Sequence, residues 1–325
     1  MISRQMRRRS DLKNGKSQIS LKVSTFTCFK ESTNVAHTAL PWLIIPKYVA
    51  RFIATIGLYI TAKRIFKARS KSGRQSEDAL QFFYDQQGGF EKFIMFSFSA
   101  LPSSMTMTGT AMIWLSIFLA DSPKWQEECH NEVESTISQH RKTRTQSRED
   151  ILASLPLNNW ESSFPTLQAC LHEALRIMSM GVLFRQNVSG GDILIGSTGD
   201  VVPDGSYAAY LPDYVHMDPS LYPKPFNFDP ARFLGPGGRN KSVPHSFLGW
   251  GSGRYSCPGM RLAKLNINIL FIYLLANFEF ETSDKQGRSK VGVLGFIDRD
   301  EFRPEKPHAP IYIRYRPRSA GTTAA

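Results

Sequence analysis

Phe247-Leu-Gly-Trp-Gly-Ser-Gly-Arg-Tyr-Ser-Cys-Pro-Gly259 is the stretch on which the reading of the whole chain turns. Cys257 is approached by glycines at alternate positions, Gly249, Gly251 and Gly253, and followed by Pro258, Gly259 and an apolar run. Glycine adopts φ > 0 freely and lets a backbone lie close against a bulky partner. Proline suits the first turn of a helix, where its missing N–H costs nothing. The pattern predicts Cys257 at a helix N-terminus with backbone N–H groups aimed at its sulfur, a setting that favours the thiolate form of a cysteine. Two readings fit: a thiolate held by a stiff loop beneath a flat partner, or a buried structural cysteine in a Gly-rich turn.

Downstream, residues 260–278 place Leu262, Leu265, Ile269, Ile272, Tyr273 and Ala276 at helical spacing, and 279–315 read as closing strands. Upstream, residues 234–244 form a Gly-rich meander, and Phe228-Asp-Pro-Ala-Arg-Phe233 sets Arg232 after a proline. Before it stand His216-Met-Asp-Pro219 and Tyr222-Pro-Lys-Pro225. With no second histidine at ligand spacing, His216 reads as a structural hydrogen-bonder. Residues 184–188, 192–195 and 206–210 alternate like short strands, with Pro203-Asp-Gly205 as a turn. A helix over 166–178 carries Leu171-His-Glu-Ala-Leu-Arg176. Its Glu173 and Arg176 share a face at i and i+3, a pairing that contributes only about 0.2–0.5 kcal/mol when exposed.

Residues 123–138 make an amphipathic helix with Trp125, Cys129 and Val133 on one face, and 139–150 read as a charged loop. Residues 90–119 are the longest apolar run and predict a helix buried along its length. Pro102 and the hydroxyls of Ser103, Ser104, Thr106, Thr108 and Thr110 mark its middle as a place for a kink and an inserted polar group. Before it, 77–84 read as a short helix. Residues 41–66 place Trp42, Ile45, Val49, Phe52, Ile53 and Ile56 on one helical face, followed by a charged exit ending at Ser72.

The chain has 325 residues, is 42% hydrophobic and carries a formal charge of +12. That length and content support a sizeable core. Residues 1–90 hold 16 Lys and Arg against 5 Asp and Glu, so nearly all the excess charge lies there. Residues 1–40, polar and without period, read as a poorly ordered basic segment, and 41–325 as one domain. Such a segment suits an acidic membrane surface or nucleic acid, but without aromatic interleaving or a reading helix the expectation is no nucleic-acid partner. Four cysteines without C-x-x-C spacing exclude a disulfide scaffold or zinc module. No window of about 18 uncharged apolar residues predicts a membrane span, and no apolar core follows the basic start as a signal peptide requires.

The cysteine stretch resembles the ligand loop of the cytochrome P-450 family of haem-thiolate monooxygenases: an aromatic residue, Gly-x-Gly, an arginine and Cys-x-Gly, matched by Trp250, Gly251, Gly253, Arg254, Cys257 and Gly259. Trp250 stands where phenylalanine is commoner. Four motifs fall in the family's order over about residues 75–315. The resemblance implies a mainly α fold with small β sheets (α+β), the C-terminal portion of the family's fold, truncated at its N-terminus. It implies a haem with Cys257 as axial iron ligand, and Arg254 and Arg185 as propionate partners. Glu173, Arg176 and Arg232 become a structural cluster, and Thr108 the proton-delivery threonine. Met107 and Ser104 depart from the carboxylate or amide and the glycine usual before that threonine. The implied activity is oxidation of an apolar organic substrate with dioxygen and electrons from an NADPH-dependent reductase, at the endoplasmic reticulum surface. The motif phrasing is most similar to fungal members of secondary-metabolite pathways. Two alternatives stay open: an inactive truncated remnant, and a basic membrane- or nucleic-acid-binding protein.

Overall fold

Apolar runs of helical period become helices here, and the short alternating runs become two-stranded antiparallel ladders. The computed structural model describes residues 46–72, 78–85, 89–197, 199–235, 243–288, 297, 299, 307 and 310–318. The expected basic segment 1–40, most of the meander at 234–244 and much of the stretch between the closing strands lie outside these residues. Contacts divide the chain into two units, Met1–Met107 and Thr108–Ala325.

The first unit contains α1 (Pro46–Ser72), α2 (Ala79–Asp85) and the beginning of α3 (Gly89–Ala120). The periodicity expected to bury Phe52, Ile53 and Ile56 misassigned the face of α1. Ala54, Leu58 and Ala62, four residues apart, are buried, whereas Phe52 and Ile53 are 67% and 62% exposed. Small side chains let a helix approach its neighbour closely, and both stripes satisfy the same period. Phe66 packs against Tyr84, Phe90 and Phe93 with ring centroids 5.6–6.0 Å apart, tying α1 to the two later helices.

α3 runs unbroken past Pro102. Ser97, Ser103 and Ser104 donate to the carbonyls of Phe93, Ser99 and Leu101 at 2.8–2.9 Å, so the helix itself takes these hydroxyls and no inserted group is needed. Burial is also uneven: Trp114, Leu115, Phe118 and Leu119 enter the core, while Met95, Leu101, Met105 and Met107 are exposed. By length and composition alone α3 could cross a membrane, contrary to the expectation from strictly apolar windows, although 44% of its most apolar window is buried.

In the second unit follow α4 (Pro123–His140), α5 (Arg148–Ser154), α6 (Leu157–Ser162) and α7 (Pro165–Met178). Within the segment expected to be a charged loop, Ser147 starts α5. Its Oγ accepts from the Asp150 N–H at 3.1 Å and donates to the Asp150 carboxylate at 2.8 Å, a capping arrangement. Glu132 of α4 accepts from the Thr166 and Leu167 N–H groups at 2.8 and 3.2 Å, capping α7 from a neighbouring helix. The thiols of Cys129 and Cys170 face each other at 3.7 Å between α4 and α7. That contact, with burial, raises the Cys129 pKa well above its ordinary value.

Strand β1 (Leu183–Gln186) pairs with β4 (Tyr207–Tyr210), and β2 (Ile193–Leu194) with β3 (Val201–Val202), in the expected regions. Then come α8 (Pro212–His216), 3-10 turns at Pro230–Phe233 and Gly253–Tyr255, α9 (Met260–Asn277), and the ladder of β5 (Phe278–Ser283) with β6 (Tyr312–Pro317). α9 buries Ile267, Phe271, Ile272, Leu275 and Ala276, while Leu262 and Ile269 of the expected face are exposed. The helix is apolar nearly all round, so period alone does not choose its inner side. Gln126 pins β5 to α4 through two hydrogen bonds with the Phe280 backbone, at 2.7 and 3.0 Å. A cleft beside it is lined by Glu127, Glu279, Glu281, Arg314, Arg316 and Arg318, whose charges pair with one another.

Candidate functional site

The cysteine loop owes its shape to glycine. Gly251 and Gly253 have φ of 72° and 57°, a region that favours glycine, and a Cβ on Gly251 would collide with the Tyr255 carbonyl oxygen. The Gly251 N–H donates to Leu248 O at 2.9 Å, and the Cys257 N–H to Trp250 O at 2.7 Å, so the loop is closed by its own backbone. Cys257 itself is exposed. α9 begins at Met260, and Pro258 lies with Gly259 in a turn ahead of it instead of in its first turn, so Cys257 precedes that turn. Its carbonyl accepts from the Met260 N–H at 3.3 Å. A Cβ on Gly259 would reach only van der Waals contact with the Cys257 sulfur, at 4.0 Å.

We expect Gly251→Ala to lose about 1–3 kcal/mol through its φ and the carbonyl clash. A lowered melting temperature, without loss of helical circular dichroism at low temperature, is the measurement. An unchanged melting temperature would contradict this account of the loop.

Behind the loop lies a cluster of buried charges. Glu173 and Arg176 are both fully buried. Arg176 donates to the Glu173 carboxylate through Nε and Nη2, each at 2.8 Å, and to the carbonyls of His216 and Pro225, each at 2.6 Å. Its guanidinium also lies 4.9 Å from the Tyr222 ring. Arg232 joins Glu173 at 3.3 Å, and the Asp229 N–H donates to the same oxygen at 3.1 Å. The cluster reaches the cysteine loop twice: Tyr222 Oη donates to Ser246 O at 2.9 Å, and His216 Nε2 accepts from the Leu248 N–H at 3.1 Å. Burial, and secondarily the Arg176 charge, pushes His216 down to about 4. Burial, with Lys264 as a smaller cause, does the same to His172.

Arg185 on β1 comes to the loop through an aromatic contact. Its guanidinium lies 3.9 Å from the Tyr255 ring centroid, and Nη1 donates to Phe184 O at 2.7 Å. Arg254, next to Tyr255, is exposed. Among the described residues neither arginine has a carboxylate partner, although most other arginines in this unit do. Trp250 is half-buried with the Lys264 ammonium 5.7 Å from its ring, and its Nε1 is buried without a partner among the described residues. Thr108 is half-buried and makes no side-chain hydrogen bond to any other site residue.

Glu173, Arg176 and Arg232 are thus brought together as expected, and Arg185 meets the cysteine loop. The sequence reading missed Tyr255, Tyr222 and the link from His216 to Leu248, because each joins residues far apart in the chain. Among the described residues no cluster of three or more His, Cys, Asp or Glu could hold a metal ion alone. An exposed cysteine, a loop shaped by glycines and two arginines without a carboxylate partner among the described residues are compatible with a haem and its two propionates.

The sequence model of the family described as Cytochrome P-450 matches residues 61–295, and the chain belongs to that family. It is 33% identical over 256 residues to the cytochrome P-450 monooxygenase nsrP of Aspergillus novofumigatus, covering 78% of this chain and 49% of that protein. It is 29% identical over 300 residues to the monooxygenase AacuE of Aspergillus aculeatus, covering 91% and 59%. The chain spans about half the length of the curated relatives it matches. Among solved structures it resembles the cyanobacterial protein CYP120A1 with retinoic acid bound, at a TM-score of 0.64 and 19% identity, covering 94% of this chain and 63% of that one. The likeness extends to the mainly helical fold with small sheets.

Proposed function

We propose that this chain is the haem-binding portion of a monooxygenase, in which the Cys257 thiolate would hold the iron. A haem bound there would supply dioxygen activation for oxidising apolar organic molecules, since thiolate ligation favours O–O cleavage. The observation that carries the reading is the exposed Cys257 sulfur on a loop closed by its own backbone and anchored to the buried Glu173–Arg176 pair.

In this reading Arg254 and Arg185 neutralise the propionates, and Tyr255 holds the Arg185 guanidinium flat for that contact. Trp250, Gly251 and Gly259 form the cradle around the thiolate. Glu173, Arg176 and Arg232 fix the loop without touching substrate. Thr108 makes no side-chain hydrogen bond among the described residues, unlike Ser103 and Ser104, and its hydroxyl would be available to hand on a proton during the reaction. Residues 41–325 form the partial haem domain after the basic segment. Electrons come from an NADPH-dependent reductase at the endoplasmic reticulum surface, and the substrate is an apolar intermediate of fungal secondary metabolism.

The test is a spectrum. The reduced, carbon-monoxide-bound protein is expected to show the red-shifted Soret band of thiolate ligation, and Cys257→Ala to abolish it. Protein purified without haem from haem-replete cells, or a band that survives Cys257→Ala, would overturn the reading. The first of these outcomes would favour an inactive remnant.

A further inference from the structure

His216 has more to do than fill space. The ring is fully buried at the end of α8, stacked on Phe247 with centroids 5.5 Å apart and edge-on to Tyr222 at 6.5 Å. A phenylalanine would pack in the same way. The imidazole adds one acceptor, Nε2, used by the Leu248 N–H at 3.1 Å. A nitrogen that accepts carries no proton, so the proton of the neutral ring sits on Nδ1. That N–H is buried and has no partner among the described residues. Burying an unpaired donor is costly, and a residue that served only packing would not carry that cost.

We propose that His216 is a positioning residue that transmits the geometry of the Glu173–Arg176 pair to the cysteine loop. Its backbone carbonyl is held by Arg176 Nη1 at 2.6 Å, while its ring holds the Leu248 N–H. From Leu248 the chain of bonds continues through its carbonyl to the Gly251 N–H, and from Trp250 O to the Cys257 N–H. Four consecutive contacts thus connect a buried ion pair to the backbone of the sulfur-bearing residue. The proposal rests on the reading of Cys257 as the haem ligand for its consequence, but not for the contacts themselves.

The experiment compares the full chain with His216→Phe, which keeps the ring and removes the acceptor, and with His216→Gln, whose side-chain carbonyl restores one. Hydrogen exchange at the Leu248 amide reads the contact directly. His216→Phe is expected to speed that exchange about tenfold, leaving amides of α4 and β5 unchanged, and His216→Gln to return it toward the wild-type rate. In the reduced, carbon-monoxide-bound protein the fraction of red-shifted Soret absorbance should fall in His216→Phe and recover in His216→Gln. Wild-type exchange in His216→Phe, or equal losses in both variants, overturns the proposal. If the wild-type chain binds no haem, the haem reading fails and the exchange measurement alone still decides whether His216 holds the loop.

Discussion

Arg176→Ala is expected to destabilise the second unit by about 3–5 kcal/mol, the cost of leaving one member of a buried ion pair without its partner. Domains are typically stable by only about 5–15 kcal/mol, so this loss takes much of the total. The Glu173 carboxylate would keep Arg232 at 3.3 Å and the Asp229 N–H at 3.1 Å, but lose both 2.8 Å bonds to Arg176. The His216 and Pro225 carbonyls would lose their donor as well. Arg176→Lys should rescue little, because an ammonium cannot reproduce a planar fork that serves a carboxylate and two carbonyls together. The double replacement Glu173→Leu with Arg176→Met removes both charges and should cost less than Arg176→Ala alone. Its recovery stays partial, since the two carbonyls remain unpaired. Urea denaturation of Arg176→Ala, Arg176→Lys, the double variant and its two single replacements measures this. A double variant as unstable as the sum of its singles would show that the two residues do not act as a unit.

That cluster also shows how far the sequence could be read. Glu173 and Arg176 are legible because i and i+3 share a helix face, and Arg232 because a proline and two aromatics frame it. Their burial was not legible, since the same spacing on a surface helix would make a weak pair. The cysteine loop was legible in its glycines, whose positive φ at 251 and 253 is a local property. Contacts across long separations left no local trace: His216 to Leu248, Tyr222 to Ser246, and Arg185 to Tyr255. Helices apolar on several sides hid their inner face for a related reason. α1 buries its alanines and exposes Phe52, and α9 buries Phe271 and exposes Leu262, because neighbouring elements, not the period, choose the stripe. The last helix begins at Met260, where its apolar run was expected to begin, while Pro258 falls in the turn before it instead of in its first turn.

Acid should destabilise the folded chain well before its carboxylates titrate. His172 and His216 are held neutral by burial, each with its pKa pushed down to about 4, against an ordinary value of 6.5. Above that ordinary value both are neutral whether the chain is folded or not, and they contribute no pH dependence. Below it the unfolded chain binds protons that the folded chain refuses, so stability falls by about 1.4 kcal/mol per pH unit for each histidine. The fall continues to about pH 4, where the folded state takes up the same protons. His130, lowered chiefly by burial, adds in the same direction. Glu132, raised by burial, binds its proton more readily when folded and opposes the loss at the acid end. Urea midpoints measured between about pH 7 and pH 5 should therefore drop steeply with little change in the denaturant slope. His172→Phe isolates one contribution, because the ring already lies 5.6 and 5.4 Å from Phe233 and Phe247 and an aromatic replacement keeps that packing. It should remove about half of the joint His172 and His216 contribution while leaving neutral-pH stability close to the wild type. An acid profile in His172→Phe identical to that of the wild type would place the titrating groups elsewhere. Protonating His216 in the folded chain, near pH 4, has a further consequence: both ring nitrogens become donors, so the Leu248 N–H loses its acceptor and the cysteine loop loosens only at that acid end.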